Sequence, residues 1–262
     1  KITPAVVEFV DIAGLVKGAA SGEGLGNKFL SNIKDVSAIV HLVRVFKNVN
    51  ITHVENSVDA MRDIELINTE LILKDSETVE TRINSVKRNA RFDKDSAEQL
   101  DHLTKLIAHL NAGLLGIDFQ ETVSEVVAAE RKSLFLLTDK PVIYLANSDD
   151  ATVQESIDAV KAAVGNKTVV AMDVKTESEL ASKDDEDRKM FMEELGISET
   201  GINRLTREAY DLLGLISFFT EGPEEVRAWT VKKGSSAPVA SSAIHTDFQK
   251  NFIAAEVCMY SN

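Results

Sequence analysis

The chain has 262 residues, of which 44% are hydrophobic and 27% are charged, and its formal net charge is −13 at pH 7. This composition is typical of a globular protein with one large domain or two smaller ones. The acidic balance disfavours a general nucleic-acid-binding surface, so any contact with RNA is expected to be local. The one cysteine, Cys258, excludes an internal disulfide framework, and no apolar run reaches the roughly 20 residues needed to cross a bilayer.

Short apolar runs rich in β-branched residues predict four buried strands, at residues 5–10, 38–45, 142–146 and 168–172. Helical patterns at residues 26–34 and 153–164 lie between them. This alternation predicts an α/β fold in which a mostly parallel sheet is covered by helices, the doubly wound arrangement.

Between the second and third predicted strands, apolar residues recur at helical spacing in two sets. The sets are Met61, Ile64, Leu71, Val79, Ile83 and Val86, and then Leu100, Leu103, Ile107, Leu110 and Leu114. Polar residues 89–96 supply a turn, so we predict an antiparallel helical hairpin of coiled-coil type that projects from the sheet. The alternative is a pair of ordinary amphipathic helices that pack on the core.

The C-terminal part of the chain has a different texture. A helical segment is predicted to end at Leu213, and the composition changes near Gly222 and Pro223. Short strands are predicted at residues 227–231, 243–246 and 254–259, separated by Gly, Ser and Pro. They indicate a small β-rich module, which is expected to continue beyond Asn262.

The first predicted strand is followed by an Asp-x-x-Gly motif, Asp11 to Gly14. In P-loop hydrolases, a carboxylate at this position holds Mg²⁺ through water, and the glycine amide meets the γ-phosphate. Asp11 and Gly14 are therefore candidate nucleotide-site residues, with Asp11 as the magnesium ligand. The alternative is a simple Asp-Gly turn.

A glycine-rich loop at residues 18–28 has the texture of a phosphate-binding loop but not its pattern. Counted from Gly22, the positions that require Gly and Ser/Thr hold Asn27 and Phe29. The hydroxyl ligand for magnesium is missing, so we interpret this segment as a switch whose glycines permit rearrangement.

The third predicted strand is followed by Asn147, Ser148, Asp149 and Asp150, at the sheet edge where such folds bind nucleotide bases. Asn147 is expected to brace the loop and Asp150 to meet the base. The same string could instead cap the predicted helix at 153–164.

Together, the segments 9–18, 22–30, 67–71, 225–230 and 244–248 closely resemble the YchF/Obg-like ATPase family, a branch of the Obg-related P-loop GTPases. The resemblance implies a nucleotide-binding domain in two parts, 1–57 and 131–215, an inserted hairpin at 58–130, and a TGS domain at 216–262. It also implies that the phosphate-binding loop lies before Lys1 and that the TGS domain extends past Asn262.

The resemblance implies a cytoplasmic, magnesium-dependent enzyme that hydrolyses ATP, with GTP as the alternative, and acts as a nucleotide-dependent switch on the ribosome. No membrane or DNA partner is expected. Leu15 occupies the position where GTPases often have a water-orienting glutamine, and His53 matches the family's candidate substitute. Other readings are a nucleotide sensor with incidental hydrolysis and a helical-hairpin adaptor.

Base choice depends on two departures from the patterns of related proteins. Family members usually have Asn-x-x-Glu where this chain has Asn147, Ser148 and Asp150, and residues 173–175 replace a small Ser/Cys-Ala segment. Ser148 stands where GTPases have a lysine. These features imply a preference for ATP over GTP.

Overall fold

A computed structural model describes residues 1–11, 33, 36–48, 50–53, 55, 57–149 and 153–259. The chain divides into two compact units, one formed by Lys1–Val10 with Thr206–Asn262 and the other by Asp11–Leu205. In chain order the elements are β1 (Ile2–Thr3), β2 (Ile39–Arg44), α1 (Ala60–Val86), α2 (Lys94–Asn111), α3 (Glu125–Ser133), β3 (Val142–Asn147), α4 (Val153–Val164), β4 (Thr168–Met172), α5 (Val174–Ala181), α6 (Asp185–Glu194), α7 (Gly201–Leu212), β5 (Leu215–Glu221), β6 (Val226–Lys232), α8 (Ala237–Ser241) and α9 (Thr246–Lys250).

The larger unit is built on a parallel sheet in the order β2-β3-β4. The central strand β3 is buried along most of its length, as expected for a parallel strand covered on both faces. The core around it is formed by residues of all three strands and two helices: Val43, Ile64, Tyr144, Ala146, Val160 and Ala171. The predicted α/β fold, the strands at 38–45, 142–146 and 168–172, and the helix at 153–164 are confirmed.

The predicted strand at residues 5–10 is wrong. No strand is assigned to residues 4–11, and the side chains of Val6 and Val10 are 78% and 54% exposed. An apolar, β-branched run becomes a strand only where a neighbouring strand satisfies its backbone N–H and C=O groups. Among the described residues, 5–10 have no such neighbour. The helix predicted at 26–34 falls outside the described residues except for Ile33, and so does the whole predicted switch segment at 18–28.

The helical hairpin is confirmed. Helices α1 and α2 pack against each other and are joined by a seven-residue loop, 87–93. Their shared core contains Ile72, Val79, Val86, Leu103, Leu106 and Leu110, with Leu136 from the following segment. Side chains cap both helices, because Asp59 accepts the N–H of Arg62 and Asp93 accepts that of Ser96. No helix in the described ranges is long and apolar enough to cross a membrane.

The first half of α1 packs on the sheet. For that half, the alternative prediction of an amphipathic helix packed on the core is therefore correct. Ile64 belongs to the core of the sheet, and Leu71 packs with Ile33 and Leu137. At the junction, the buried Asp75 accepts the backbone N–H groups of Leu137 (2.8 Å) and Thr138 (2.7 Å). Burial raises the pKa of this carboxyl. Asp75 therefore ties the base of the hairpin to the segment that leads into β3.

The smaller unit contains a sheet in the order β1-β6-β5, in which β5 and β6 form an antiparallel pair and β1 is parallel to β6. The strand predicted at 227–231 is confirmed as β6. The strands predicted at 243–246 and 254–259 are wrong, because the first covers the turn between α8 and α9 and the second has no assigned strand. Ser236 and His245 occupy N-cap positions, which favour helices there. Strand β5 was not predicted.

Candidate functional site

Polar residues gather at the carboxyl edge of the β2-β3-β4 sheet. Arg44 ends β2, Asn147 ends β3 and Met172 ends β4, and Asn147 is the register partner of both neighbours. In doubly wound folds, ligands bind outside this edge. The local geometry at these strand ends therefore decides what the predicted site residues can do.

Asn147 links the ends of all three strands. Its backbone carbonyl accepts the N–H of Val45 at 3.0 Å, and its side-chain Oδ1 accepts the N–H of Val174 at 3.4 Å. The next residue, Ser148, donates its backbone N–H to the carbonyl of Met172 at 3.1 Å. Asn147 thus occupies a bracing position between β2 and the segment that follows β4.

The side chain of Ser148 is 2% exposed, and its Oγ has no hydrogen-bond partner among the described residues. A buried hydroxyl without a partner is costly, so an unsatisfied oxygen next to a predicted ligand edge is notable. Asp150, the predicted base contact, lies outside the described residues. The capping role considered for the 147–150 string also depends on residues outside that set.

The segment after β4 begins a helix immediately. Asp173 caps α5, because its carboxylate accepts the N–H groups of Lys175 (2.9 Å) and Thr176 (3.3 Å) and the hydroxyl of Thr176 (2.7 Å). The carboxylate is therefore occupied by its own helix. Of residues 173–175, the backbone N–H of Val174 is the group that contacts Asn147.

Arg44 organises the loop that leads to His53. This arginine was not predicted from the sequence to be a site residue. Its guanidinium donates to the backbone carbonyls of four residues: Phe46 (3.3 Å), Asn48 (3.2 Å), Ile51 (3.1 Å) and Thr52 (3.4 Å). It also lies over the ring of Phe46 at 4.7 Å. A planar fork with five donors can hold four separate carbonyls at once, whereas the ammonium group of lysine has three donors on a single nitrogen. The only sequence signal was a lone cation at the end of an apolar strand.

Both ring nitrogens of His53 are engaged. Nδ1 accepts the backbone N–H of Glu55 at 3.1 Å, and Nε2 lies 3.0 Å from Oδ2 of Asp63. The second contact is close but lacks hydrogen-bond geometry, because Oδ2 of Asp63 has no hydrogen-bond partner among the described residues. The predicted water-orienting group therefore has an internal partner on each side in this structure.

Asp63 is shared between His53 and Arg62. Its Oδ1 accepts from Nε (3.1 Å) and Nη2 (2.8 Å) of Arg62, and hydrogen bonding to Asp63 raises the pKa of that guanidinium. The carboxylate lies in the first turn of α1, where the helix dipole favours a negative charge. Nearby, burial lowers the pKa of the half-buried His41 to about 4, an effect that the charge of Asp63 offsets in part. Asp63 was not identified from the sequence either.

Asp11 is exposed and makes no hydrogen bond or ion pair with another described residue. Gly14 lies outside the described residues. Among those that are described, no group of three or more His, Cys, Asp or Glu side chains could hold a metal ion. Mg²⁺ does not need such a group, because it usually retains several waters and binds one or two carboxylates together with phosphate oxygens. The open carboxylate of Asp11 fits that manner of binding.

Comparison with known proteins shows close relatives over nearly the whole chain. Residues 215–262 match the family YchF-GTPase_C, described as a protein of unknown function (DUF933). The chain is 46% identical to the "Ribosome-binding ATPase YchF" of Bacillus subtilis (strain 168), with 100% of this chain and 73% of that protein covered. It is also 46% identical to the protein of the same name in Escherichia coli O157:H7, with 99% and 72% covered.

One solved structure is similar to the whole fold. The structure of the Schizosaccharomyces pombe YchF GTPase superposes with a TM-score of 0.81 at 33% sequence identity. The match covers 96% of this chain and 70% of that one.

Proposed function

This chain belongs to the YchF family, and we propose on that basis that it serves magnesium-dependent binding and hydrolysis of ATP in a nucleotide-controlled switch that associates with the ribosome. The proposal includes action in the cytoplasm, because relatives are named as ribosome-binding proteins. The proposal keeps the division into a nucleotide-binding domain (1–57 and 131–215), an inserted hairpin (58–130) and a TGS domain (216–262).

The observation that carries the proposal is the convergence of polar groups at the carboxyl edge of β2-β3-β4. Asn147 and Ser148 end the central strand, and Arg44 holds the loop that leads to His53 at the neighbouring strand. This edge is where doubly wound sheets bind nucleotides. In the proposal, Asn147 braces the base-binding loop and Asp150 meets the base.

Phosphate binding is proposed to need residues outside 1–262. The sequence contains no Gly-Lys dipeptide, so it has no Gly-x-x-x-x-Gly-Lys-Ser/Thr loop to hold the phosphates. Asp11 would hold Mg²⁺ through water, and Gly14 would meet the γ-phosphate. The ion supplies positive charge to the phosphate oxygens.

His53 is proposed to orient the attacking water. Leu15 cannot do so because it has no hydrogen-bonding group. To reach a water, the imidazole must move away from Glu55 or Asp63, because Nδ1 accepts a backbone N–H and Nε2 lies 3.0 Å from a carboxylate oxygen in this structure. The ring would then be made available by movement of its loop, which gives the nucleotide a means of coupling its state to conformation.

The same contacts support a second candidate, a nucleotide sensor in which hydrolysis is incidental. If His53 stays with Asp63 when nucleotide is bound, no side chain orients water and turnover is slow. Comparing single-turnover rates with and without ribosomes separates the two, because a switch that acts on the ribosome is stimulated there and a sensor is not.

The experiment that tests the proposal measures phosphate release by two proteins: the 262-residue chain, and a form extended upstream of Lys1 with a phosphate-binding loop. We expect negligible ATP hydrolysis by the first and slow turnover by the second. Equal rates would show that the phosphate site has been misplaced. An extended form that binds no nucleotide would instead support the hairpin-adaptor reading.

A further inference from the structure

The loop that joins the two hairpin helices carries a cluster of exposed cations beside an exposed aromatic ring. We define the hairpin tip as Asn84, Lys87, Arg88, Arg91 and Phe92, which line an open concavity of about 330 Å³. Nothing in the proposed nucleotide site uses these residues. They lie at the far end of a coiled-coil seam whose other end is anchored at the sheet by Ile64 and Leu71.

The three cations of the hairpin tip have no acidic partners. Lys87, Arg88 and Arg91 are exposed, and none forms an ion pair with a described residue. Several other cations of the hairpin are paired, as in the contacts Lys74–Glu77, Arg82–Glu130 and Lys105–Glu121. In a chain of net charge −13, an unpaired basic cluster stands out from its surroundings.

The carboxylate that follows the tip in the sequence is already occupied. Asp93 caps α2, where its Oδ2 accepts the backbone N–H of Ser96 at 2.8 Å and the hydroxyl of the same residue at 2.5 Å. These hydrogen bonds lower the pKa of Asp93. Its charge is directed at the start of the helix, and the cations of the tip are left to face solvent.

Phe92 is 90% exposed. A large aromatic side chain left in water at the end of a hairpin does nothing for the core, and exposed aromatic groups next to polar ones are typical of recognition sites. The loop that presents it is ordered by its own backbone, since Asn89 N–H donates to Val86 O and Phe92 N–H donates to Asn89 O, both at 2.9 Å. The backbone that carries the ring is therefore ordered beside the cations.

We propose that the hairpin tip binds single-stranded RNA, with phosphates on Lys87, Arg88 and Arg91 and a base stacked on Phe92. Cations that follow the backbone and an aromatic ring that accepts a base are the two elements of single-strand recognition. The acidic remainder of the chain repels nucleic acid, so the contact is confined to the tip. The inference rests on the proposed function, because it takes the ribosome as the partner and proposes that the tip contacts exposed RNA on the ribosomal surface.

The test uses the full 262-residue chain and a fluorescein-labelled oligouridine of about 20 nucleotides, with binding followed by anisotropy at several salt concentrations. For single strands, each phosphate contact contributes about −0.7 to the slope of log K against log salt. Three contacts predict a slope of about −2 for the unmodified chain. The variant K87A/R88A/R91A should show a slope near zero.

The matched control is K132A/K161A/K189A, which removes three exposed cations from helices α3, α4 and α6. It has the same net charge as the tip variant and should bind oligouridine like the unmodified chain. Phe92→Leu keeps an apolar side chain without a ring, so it should weaken binding roughly tenfold with the slope unchanged. Phe92→Trp should restore the affinity. Circular dichroism of every variant checks that the fold is retained.

Co-sedimentation of the same proteins with ribosomes separates this inference from the proposed function. Loss of both oligouridine and ribosome binding in the tip variant supports the two together. In a second outcome, the tip variant loses oligouridine binding but the unmodified chain does not co-sediment with ribosomes. That result supports RNA binding by the tip and contradicts the ribosomal part of the proposed function. Ribosome binding lost without any oligouridine binding would mean that the tip meets an acidic protein, which overturns the RNA inference. Equal oligouridine binding by the tip and control variants also overturns it.

Discussion

His53 and Asp63 form a contact that occupies the candidate water-orienting group. Nε2 of the histidine lies 3.0 Å from Oδ2 of the aspartate, while Nδ1 accepts the N–H of Glu55. Asp63 is held in turn by Arg62, so the contact is fixed to the first turn of α1. In this arrangement Nδ1 is occupied and Nε2 lies against a carboxylate, so access of water to the ring depends on whether this contact opens.

Asp63→Ala should free the ring. In the form that carries a phosphate-binding loop, we expect ATP turnover to rise by up to about fivefold, the factor that corresponds to about 1 kcal/mol for the loss of one polar contact. Stopped-flow phosphate release measures it, with Glu65→Ala, which removes an exposed carboxylate of the same helix, as the control. A fall in turnover to the level of the His53→Ala variant would mean instead that Asp63 orients the histidine for catalysis.

Arg44 should determine the order of the loop that precedes His53. Arg44→Lys keeps the charge but loses the fork that reaches four carbonyls, so the amides of residues 46–52 should exchange with deuterium much faster. The free energy of unfolding should fall by about 1 kcal/mol. Lys47→Ala, an exposed change in the same loop, serves as the control. Unchanged exchange in the Arg44 variant would show that the loop is held by other contacts.

His41 should make the fold less stable in mild acid. Its pKa is lowered by burial from 6.5 to about 4, so between these values the unfolded chain binds a proton that the folded chain does not. Stability that is present above pH 6.5 is therefore lost as the pH falls towards 4, by at most about 3 kcal/mol.

Urea unfolding at pH 7.5 and near pH 4.5 tests this for the unmodified chain and His41→Phe, which keeps a ring against Tyr144 and does not titrate. The loss should be smaller in the variant by most of that amount. His245→Asn changes an exposed histidine and should behave like the unmodified chain. An identical pH dependence in His41→Phe would show that other groups carry the effect.

Base choice should favour ATP. A carboxylate at Asp150 can accept from N1–H and the amino group of guanine but meets only the exocyclic amine of adenine. Ser148, however, is buried and has no long stem to cover a base, and Asp173 is occupied as a helix cap. We expect ATP to bind about tenfold more tightly than GTP, or 1–2 kcal/mol. Competitive titration at fixed magnesium measures the ratio, and a clear GTP preference would mean that Asp150 dominates.

The elements that the sequence predicted well are those whose hydrophobic pattern also indicates what they pack against. Strand β3 is a continuous apolar run that only a covered parallel sheet can bury, and the hairpin seam repeats at helical spacing over two helices. The three wrong strands, at 5–10, 243–246 and 254–259, have strand-like composition. A strand depends on a neighbour, which composition does not specify.

Sequence motifs predicted where the site residues lie along the chain, but they did not predict which residues contact one another. Asn147 lies at the strand end where its motif placed it, and its bracing contact with Val174 depends on how β4 ends. Arg44 and Asp63 were missed because each is an ordinary charge in the sequence, and their roles arise only when a loop folds back over the sheet edge. The nucleotide roles of Asp11, Gly14, His53, Asn147, Ser148 and Asp150 stay predictions.

Single-turnover hydrolysis of ATP, compared between the loop-bearing form and its His53→Ala variant, tests the central claim most directly. A group that positions water acts mainly in the transition state, so the rate should fall about a hundredfold or more while the dissociation constant for ATP stays the same. His245→Ala, which removes an exposed histidine of the smaller unit, should leave both values unchanged. Equal rates for the unmodified and His53→Ala proteins would contradict the account, because His53 would then be structural and some other group would replace the missing glutamine.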